Sequence, residues 1–281
     1  MVSFRDLMYP PITLARFRAL RETEDAKRIC FGSRHKNALK RNDGGRSVGF
    51  FNVPFIETIG SIFPWELFRN TKGKYGGYFR AVSDDSEFSE INQWLVENAD
   101  VVFIKSLFST AVAACEHYIT SERRSRIGEL EHSAKYENSS LAVDALVGVL
   151  EGIYRRMHGK RRIDAIASIP PSTPGQQNLP NLLASRLSQR LGITDLTGSL
   201  QWSGPKPSIK ELDVDQKWAA LEKVGLTIGE AFAGKNVLLL DDMYQSGSTA
   251  HFVGSALRVA GTNDLHLLAV SKGRRDTDNR K

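Results

Sequence analysis

The sequence predicts an α/β protein in which a mainly parallel sheet is flanked by helices. Two observations support this. The run Val237–Leu240 is uninterrupted and apolar, as in a strand buried on both faces of a parallel sheet. From about residue 100 onward, strand-like and helix-like segments alternate, which is the pattern of βαβ units. Ligands of such sheets bind beyond the carboxyl ends of the strands, so functional residues are expected directly after Leu240 and Ile169.

Composition excludes several classes of protein. The 281 residues are 41% hydrophobic and 25% charged, which is incompatible with wholesale disorder, a collagen-like repeat or a coiled coil. Two cysteines, Cys30 and Cys115, are too few for a disulfide scaffold or a structural zinc site, and they fit a reducing compartment. No apolar run approaches the roughly 18–20 residues of a membrane helix, and the first 20 residues lack a signal-peptide pattern. We expect a cytoplasmic protein with no membrane association.

Residues 1–120 form the least regular part of the sequence. Turn-forming residues cluster at 41–45 and 72–77, and the mixed apolar segment 48–62 between them suggests short strands. Ten Lys and Arg residues against four acids lie between Arg16 and Arg46, an excess equal to the net charge of +6 for the whole chain. Such a segment can attract phosphates or nucleic acid. The lack of aromatic residues between Arg34 and Arg46 favours the interpretation of this segment as a solvated, partly mobile arm. The rest of the protein would then bind its ligand without it.

The segments that follow are more regular. Phe88, Ile91 and Leu95 have helical spacing after Ser86, which predicts a helix capped by that serine. The apolar run 101–104 predicts a buried strand. A longer amphipathic helix is expected after residues 139–140, ending near residues 158–159.

Regular patterns continue to the end of the chain. The run Ile163–Ile169 predicts a short strand. Leucines recur every four residues from Leu179, which predicts a helix that ends at Gly192. After the strand at 237–240 we expect a polar loop and a helix closed by Gly261. A last strand, 265–270, is followed by a basic tail at 272–281.

The nine residues after the apolar run Val237–Leu240 are the most informative part of the sequence. Asp241 and Asp242 follow a buried strand, where adjacent carboxylates are costly unless polar or cationic groups meet them. The segment 245–249 then opens a helix with hydroxyl side chains and backbone N–H groups, which suits a phosphate monoester. Gly247 allows the backbone to approach the anion closely. Acids beside such a loop suggest a phosphorylated sugar, because carboxylates accept hydrogen bonds from its hydroxyl groups.

The passage 237–249 resembles the phosphoribosyl-pyrophosphate motif of type I phosphoribosyltransferases. That motif has four apolar residues, two acids, two further residues and a Thr/Ser-rich loop around a glycine. Gln245 and Ser246 replace the usual Thr or Ser and Thr, and both still offer hydrogen bonds. No Gly-rich loop ending in Gly-Lys-Ser/Thr precedes the acids, which argues against an ATP-binding Walker B strand. The resemblance implies that Asp241 and Asp242 are catalytic and that the phosphate is bound by Gln245, Ser246, Gly247, Ser248 and Thr249.

The resemblance extends over about 120–271 and is nearest to the competence-protein and amidophosphoribosyltransferase-like branch, without the zinc ribbon of that branch. It implies a pyrophosphate loop formed by Ile169, Pro170, Pro171, Ser172 and Thr173. The two prolines offer a low-cost cis peptide or simply end the strand. This loop has no Lys or Arg of its own. A mobile loop is implied between residues 202 and 232, with Lys206, Lys210 or Lys217 meeting the leaving pyrophosphate.

The resemblance implies a type I phosphoribosyltransferase-like domain at 121–271, preceded by a divergent hood or accessory region at 1–120. It implies transfer of the phosphoribosyl group from phosphoribosyl pyrophosphate to a nitrogen acceptor. Mg²⁺ would be bound through the substrate and not directly by the protein. Three functions stay open: an active transferase, a non-catalytic sensor of a phosphorylated ribose or nucleotide, and a nucleic-acid-binding accessory protein that uses residues 16–46. A homo-oligomer is also considered.

Overall fold

The structure is a computed structural model that describes residues 4–23, 26–42, 46–70, 76–157 and 162–274. The helices in these ranges are α1 (Phe4–Met8), α2 (Leu14–Glu22), α3 (Ile59–Ile62), α4 (Asp85–Glu97), α5 (Arg126–Tyr136), α6 (Ser140–Met157), α7 (Leu179–Leu191), α8 (Val214–Val224) and α9 (Ser248–Val259). The strands are β1 (Arg28–Cys30), β2 (Leu39–Arg41), β3 (Gly49–Val53), β4 (Phe68–Arg69), β5 (Tyr78–Val82), β6 (Val102–Ile104), β7 (Thr110–Glu116), β8 (Ala165–Ser168), β9 (Thr194–Asp195), β10 (Leu200–Trp202), β11 (Leu226–Ile228), β12 (Val237–Tyr244) and β13 (Leu265–Lys272).

A seven-stranded sheet forms the centre of the described structure, in the order β1-β6-β7-β13-β12-β8-β9. The strands from β7 to β9 in this order are parallel, and β1 and β6 are antiparallel to their neighbours. β8 and β12 are adjacent, with Ser168 opposite Leu240. The predicted fold class, a mainly parallel sheet flanked by helices, is therefore confirmed, and so is the predicted pairing of these two strands.

Each face of the central sheet carries its own hydrophobic core. Leu238 and Leu240 of β12 belong to the core shared with α6 and α7. Val237 and Leu239 point to the opposite core, which contains residues of α2, α8 and α9. This alternation follows from the two-residue period of a strand. Because both faces of the sheet are covered, the residues of β12 must be apolar until the strand nears the carboxyl end of the sheet.

The N-terminal region supplies three strands of this sheet. β1, β6 and β7 lie before residue 120, and β7 pairs in parallel with β13. The expected boundary at residue 120 remains a prediction, although the sheet continues across it. The other N-terminal strands form a separate antiparallel sheet, β2-β3-β5-β4, which packs with α4 around aromatic side chains that include Phe31, Phe51, Phe63 and Trp94. Two short strands, β10 and β11, pair near the cavity described below.

The basic segment 16–46 is not a solvated arm, and that interpretation is wrong. Helix α2 begins at Thr13, whose side chain accepts a hydrogen bond from the Arg16 amide. Ile12 and Phe17 are buried in the core that α2 shares with α8 and α9. Several of the basic side chains make intramolecular contacts: Arg18 with Asp215, Arg21 with the carbonyl of Ser246, Arg28 and Arg34 with Glu116, and Arg41 with Asp85. Removal of residues 1–46 would therefore take apart the core.

Other boundaries differ from the predicted ones in detail. Asp84, and not Ser86, caps α4, because its carboxylate accepts a hydrogen bond from the Glu87 amide at 2.9 Å. In 48–62 only β3 is a strand, and α3 follows it. Gly192 ends α7 in the left-handed conformation, as predicted, with φ of 65°. Predicted features at 43–45, 72–75, 158–159 and 275–281 lie outside the described residues.

Candidate functional site

A cavity of about 390 Å³ lies at the carboxyl ends of β8 and β12. Most of the residues that the sequence singled out line it. From the expected pyrophosphate and mobile loops these are Ile169, Pro170, Ser172, Lys206, Lys210 and Lys217, and from the motif after the apolar run they are Asp241, Asp242, Gln245, Ser246, Gly247, Ser248 and Thr249. Pro171 and Thr173 do not line this cavity. Residues from three separate segments of the chain thus meet at one place, and their individual roles remain predictions.

The phosphate loop, residues 245–249, joins β12 to α9. β12 continues through both acids to Tyr244, so the acids lie in the strand and not in the expected loop. Gly247 has φ of 85°, in the left-handed region, at the start of α9. A Cβ atom at Gly247 would lie 2.1 Å from the hydroxyl oxygen of Tyr244. The loop therefore needs glycine because of its backbone angle and because the buried Tyr244 ring occupies the space of a side chain.

The two acids differ in their surroundings. One carboxylate oxygen of Asp241 accepts a hydrogen bond from the Asp242 amide at 2.9 Å. Asp242 accepts one from the Met243 amide at 2.6 Å and pairs with the ammonium of Lys135 at 2.6 Å. Burial, together with the charge of Asp242, raises the pKa of Asp241 well above its usual value. The strand thus places one carboxyl group that resists ionisation beside one that is paired with an ammonium group.

Lys135 is a residue of this site that the sequence did not single out. It lies near the end of α5, pairs with Glu131 at 3.2 Å as well as with Asp242, and lines the cavity. Although burial opposes its charge, these two carboxylates raise the pKa of Lys135. Glu131 is almost fully buried and also accepts a hydrogen bond from Ser271 at 2.6 Å. A Glu and a Lys four residues apart resemble an ordinary surface pair, so only the fold reveals this contact.

Lys206 connects two of the loops that the sequence singled out, and its side chain lines the cavity. The Lys206 amide donates a hydrogen bond to the carbonyl of Ser172 at 2.7 Å, which joins the expected mobile loop to the expected pyrophosphate loop. Burial lowers the pKa of the Lys206 side chain, and the charges of Asp241 and Asp242 oppose this shift. Within the described residues no peptide bond is cis, so Pro170 and Pro171 end the strand without a cis bond.

His251 lies beneath the phosphate loop and is fully buried. Its Nδ1 donates a hydrogen bond to the Gly247 carbonyl at 2.9 Å, and its Nε2 accepts one from the Leu107 amide at 3.2 Å. The ring stacks on Phe17 of α2, with centroids 4.2 Å apart. Burial lowers the pKa of His251 to about 3, so the imidazole is neutral in the folded protein.

This shift predicts a loss of stability in mild acid. In the unfolded chain a histidine takes up a proton near pH 6.5. The folded protein excludes that proton, so the free energy of unfolding should fall below about pH 6.5 by up to about 1.4 kcal/mol per pH unit. Urea unfolding at pH 7.5, 6.0 and 5.0 measures this slope in the wild type and in His251→Asn. The variant should have a smaller slope, and equal slopes would contradict the prediction. Other histidines are common to both proteins and cancel in the difference.

Comparison with protein-family models and with curated protein sequences finds no match. Solved structures do show similarity. The adenine phosphoribosyltransferase of Saccharomyces cerevisiae is 17% identical with a TM-score of 0.35, covering 48% of this chain and 71% of that one. The adenine phosphoribosyltransferase of Thermoanaerobacter pseudethanolicus is 16% identical with a TM-score of 0.33, covering 48% and 83%. Glutamine phosphoribosylpyrophosphate amidotransferase of B. subtilis is 16% identical with a TM-score of 0.36, covering 73% and 43%. Function is therefore inferred from the cavity and its residues.

Among the described helices, none is both long enough and apolar enough to span a bilayer.

Proposed function

We propose that the cavity binds 5-phosphoribosyl-1-pyrophosphate and that the chain transfers its phosphoribosyl group to a nitrogen acceptor. One observation carries this proposal: the acid pair, the phosphate loop, the loop after β8 and Lys206 all line the same cavity. The proposed donor has two anionic ends joined by a ribose. The cavity likewise is lined by the loop 245–249, by Ser172 together with Lys206, and by a pair of acids that can meet hydroxyl groups.

The roles of the residues follow from their chemistry. The loop 245–249 would bind the 5′-phosphate through backbone N–H groups and hydroxyls at the start of α9. Asp241 and Asp242 would accept hydrogen bonds from the ribose hydroxyls and stabilise the positive charge that develops on the ring. Lys206, together with Lys210 and Lys217, would neutralise the pyrophosphate as it leaves. Lys135 would hold Asp242 in place through their ion pair.

The proposed reaction requires little covalent chemistry from the protein. The bond between ribose C1 and the pyrophosphate oxygen breaks, and its electron pair leaves with pyrophosphate. The lone pair of the acceptor nitrogen forms the new bond to C1, and the nitrogen then loses its proton. Binding both ends of the donor fixes the position of C1, and orientation of this kind is a major source of rate enhancement.

Mg²⁺ would accompany the donor. In the part of the chain that the structure describes, no group of three or more His, Cys, Asp or Glu side chains could hold a metal ion. The ion would be bound mainly through the donor, because Mg²⁺ at phosphate groups takes few ligands from the protein. When bound, Mg²⁺ supplies charge neutralisation at the diphosphate, while the lysines of the cavity supply the same at its rim.

The alternative of a non-catalytic sensor depended on a pyrophosphate loop without a cation. Although that loop has no Lys or Arg of its own, the side chain of Lys206 lines the same cavity, which favours the transferase over the sensor. The nucleic-acid alternative remains a prediction, although Arg18, Arg21 and Arg28 are engaged in contacts within the protein. Salt-dependent binding to DNA or RNA would test it.

Calorimetry followed by an assay of pyrophosphate release tests the proposed function. We expect phosphoribosyl pyrophosphate with Mg²⁺ to bind more tightly than ribose 5-phosphate, because only the former occupies both ends of the cavity. Release of pyrophosphate with one member of a panel of bases and amines would establish turnover. Binding without release for every acceptor would favour the sensor. Absence of binding would overturn both.

A further inference from the structure

We propose that three residues outside the cavity, Arg21, His251 and Lys272, are positioning residues that fix the peptide groups of the phosphate loop in the orientation that binds an anion. The proposal rests on the proposed function, because it assumes that residues 245–249 bind a phosphate. It adds that α2, far from the motif in sequence, completes this binding site through Arg21.

Three successive carbonyl groups of the loop each accept a hydrogen bond from a different side chain. Lys272 donates to the Gln245 carbonyl at 3.0 Å, and Arg21 donates to the Ser246 carbonyl at 2.9 Å. The third, that of Gly247, accepts the hydrogen bond from His251. Arg21, His251 and Lys272 are not among the residues that line the cavity. The three carbonyls are therefore drawn away from the cavity.

The orientation of the carbonyls fixes that of the amides. In a trans peptide group, the C=O of one residue and the N–H of the next lie in one plane and point in opposite directions. Carbonyls of residues 245–247 that point away from the cavity direct the N–H groups of residues 246–248 towards it. Successive N–H groups that converge on one point form an anion-binding concavity.

The three donors come from parts of the fold that are rigidly placed. Lys272 ends β13 and lies opposite Tyr244 in the parallel register with β12. His251 lies one turn into α9. Arg21 is carried by α2, which is docked on the loop because Phe17 of the same helix stacks on His251. Within α9 the backbone amide of His251 also bonds to the Gly247 carbonyl, so the carbonyls of Gln245 and Ser246 depend most on these side chains.

Arg21 has a further property that fits an anion site. Its Nη1 holds the Ser246 carbonyl, whereas its Nη2 is buried and has no hydrogen-bond partner in the described structure. A buried donor without a hydrogen-bond partner is costly. Its positive charge beside the loop would be compensated when a phosphate dianion enters the cavity.

Substitution of Arg21 in the full chain tests the proposal, with ribose 5-phosphate as the probe. Arg21→Met keeps the aliphatic stem and removes the donors, and Arg21→Lys restores one charged donor. Arg18→Ala is the matched control, because Arg18 lies on the same helix but pairs with the exposed Asp215. Calorimetry gives the Kd of each protein, and thermal unfolding shows that each is folded.

We expect Arg21→Met to weaken binding by about 10- to 100-fold, the loss typical of a charge-assisted hydrogen bond. Arg21→Lys should recover most of this loss, and Arg18→Ala should bind as the wild type does. Wild-type affinity in Arg21→Met, or equal losses in the Met and Lys variants, would overturn the proposal and leave the proposed function standing.

If Arg21→Met does not fold, Arg21→Gln replaces it and should show a loss between those of Met and Lys; wild-type affinity in Arg21→Gln would overturn the proposal. If the wild type itself fails to bind ribose 5-phosphate, the proposed function fails first.

Discussion

Gly247→Val is expected to abolish binding of ribose 5-phosphate and to destabilise the folded protein. The φ of 85° at this position is unfavourable for any residue with a Cβ, at a cost of about 1–2 kcal/mol. The new Cβ would also lie 2.1 Å from the hydroxyl oxygen and 2.4 Å from the adjoining ring carbon of Tyr244. Because that ring is buried, relief requires movement of the loop, at a further cost of about 1–3 kcal/mol. Whether the loop moves to relieve the backbone strain or the contact with Tyr244, it displaces the amides that would bind the phosphate.

Gly192→Val is the matched control for this prediction. Gly192 also has a positive φ, 65°, but a Cβ atom at this position would have open space around it, with no atom beyond its chain neighbours within 4 Å. It ends α7 and is not among the residues that line the cavity. The control should show the backbone cost alone and retain the ligand. Urea unfolding and calorimetry on both variants separate the cost of the backbone angle from the cost of the contact with Tyr244. Equal destabilisation would show that Tyr244 is not the obstacle, and normal binding by Gly247→Val would show that the loop is not the phosphate site.

The parts of the site that were predictable are those encoded in one continuous stretch. Residues 237–249 contain a buried strand, two acids and a polar loop that opens a helix, and each of these has a local signature. The pairing of β12 with β8 was also predictable, because two short apolar runs followed by polar loops belong in the middle of a parallel sheet. Confirmation of that pairing explains why the loop after Ile169 shares a cavity with Asp242.

What the sequence could not show depends on contacts between distant residues. Arg21 and Ser246 are 225 positions apart, and nothing in the sequence near either residue indicates the hydrogen bond between them. The strand β7 was missed because its central residues are mostly alanine, which has a low strand propensity. In 16–46 the excess of charge concealed the apolar face of α2. Phe17 of this helix is fully buried in the core, and a count of charges does not detect it.

Asn substitutions of the two acids are expected to have the same effect on the rate of transfer and opposite effects on stability. Loss of either carboxylate should lower the rate of transfer on the order of 100-fold, the scale for removing one group that stabilises charge in a transition state. Asp241→Asn should raise the melting temperature, because it removes a buried carboxyl whose ionisation the fold opposes. Asp242→Asn should lower the free energy of unfolding by about 1 kcal/mol, because it breaks the partly exposed ion pair with Lys135.

The dependence of stability on pH distinguishes this explanation from a general stabilising effect of replacing Asp by Asn. Since the folded protein raises the pKa of Asp241 above the unfolded value near 3.9, the folded state binds more protons from about pH 4 upward. The contribution of Asp241 to the free energy of unfolding should therefore fall as the pH rises through this range, opposite in sign to that of His251, and the advantage of Asp241→Asn should vanish below about pH 4, where the wild-type carboxyl is protonated in both states. Asp144→Asn, which breaks the exposed pair with Arg186, is the control and should leave transfer unchanged. Thermal unfolding at pH 3.5, 5 and 7, with pyrophosphate release at pH 7, measures all three variants. A lower melting temperature for Asp241→Asn at pH 7, with normal transfer, would show that Asp241 is a structural residue and would remove the acid pair from the proposed mechanism.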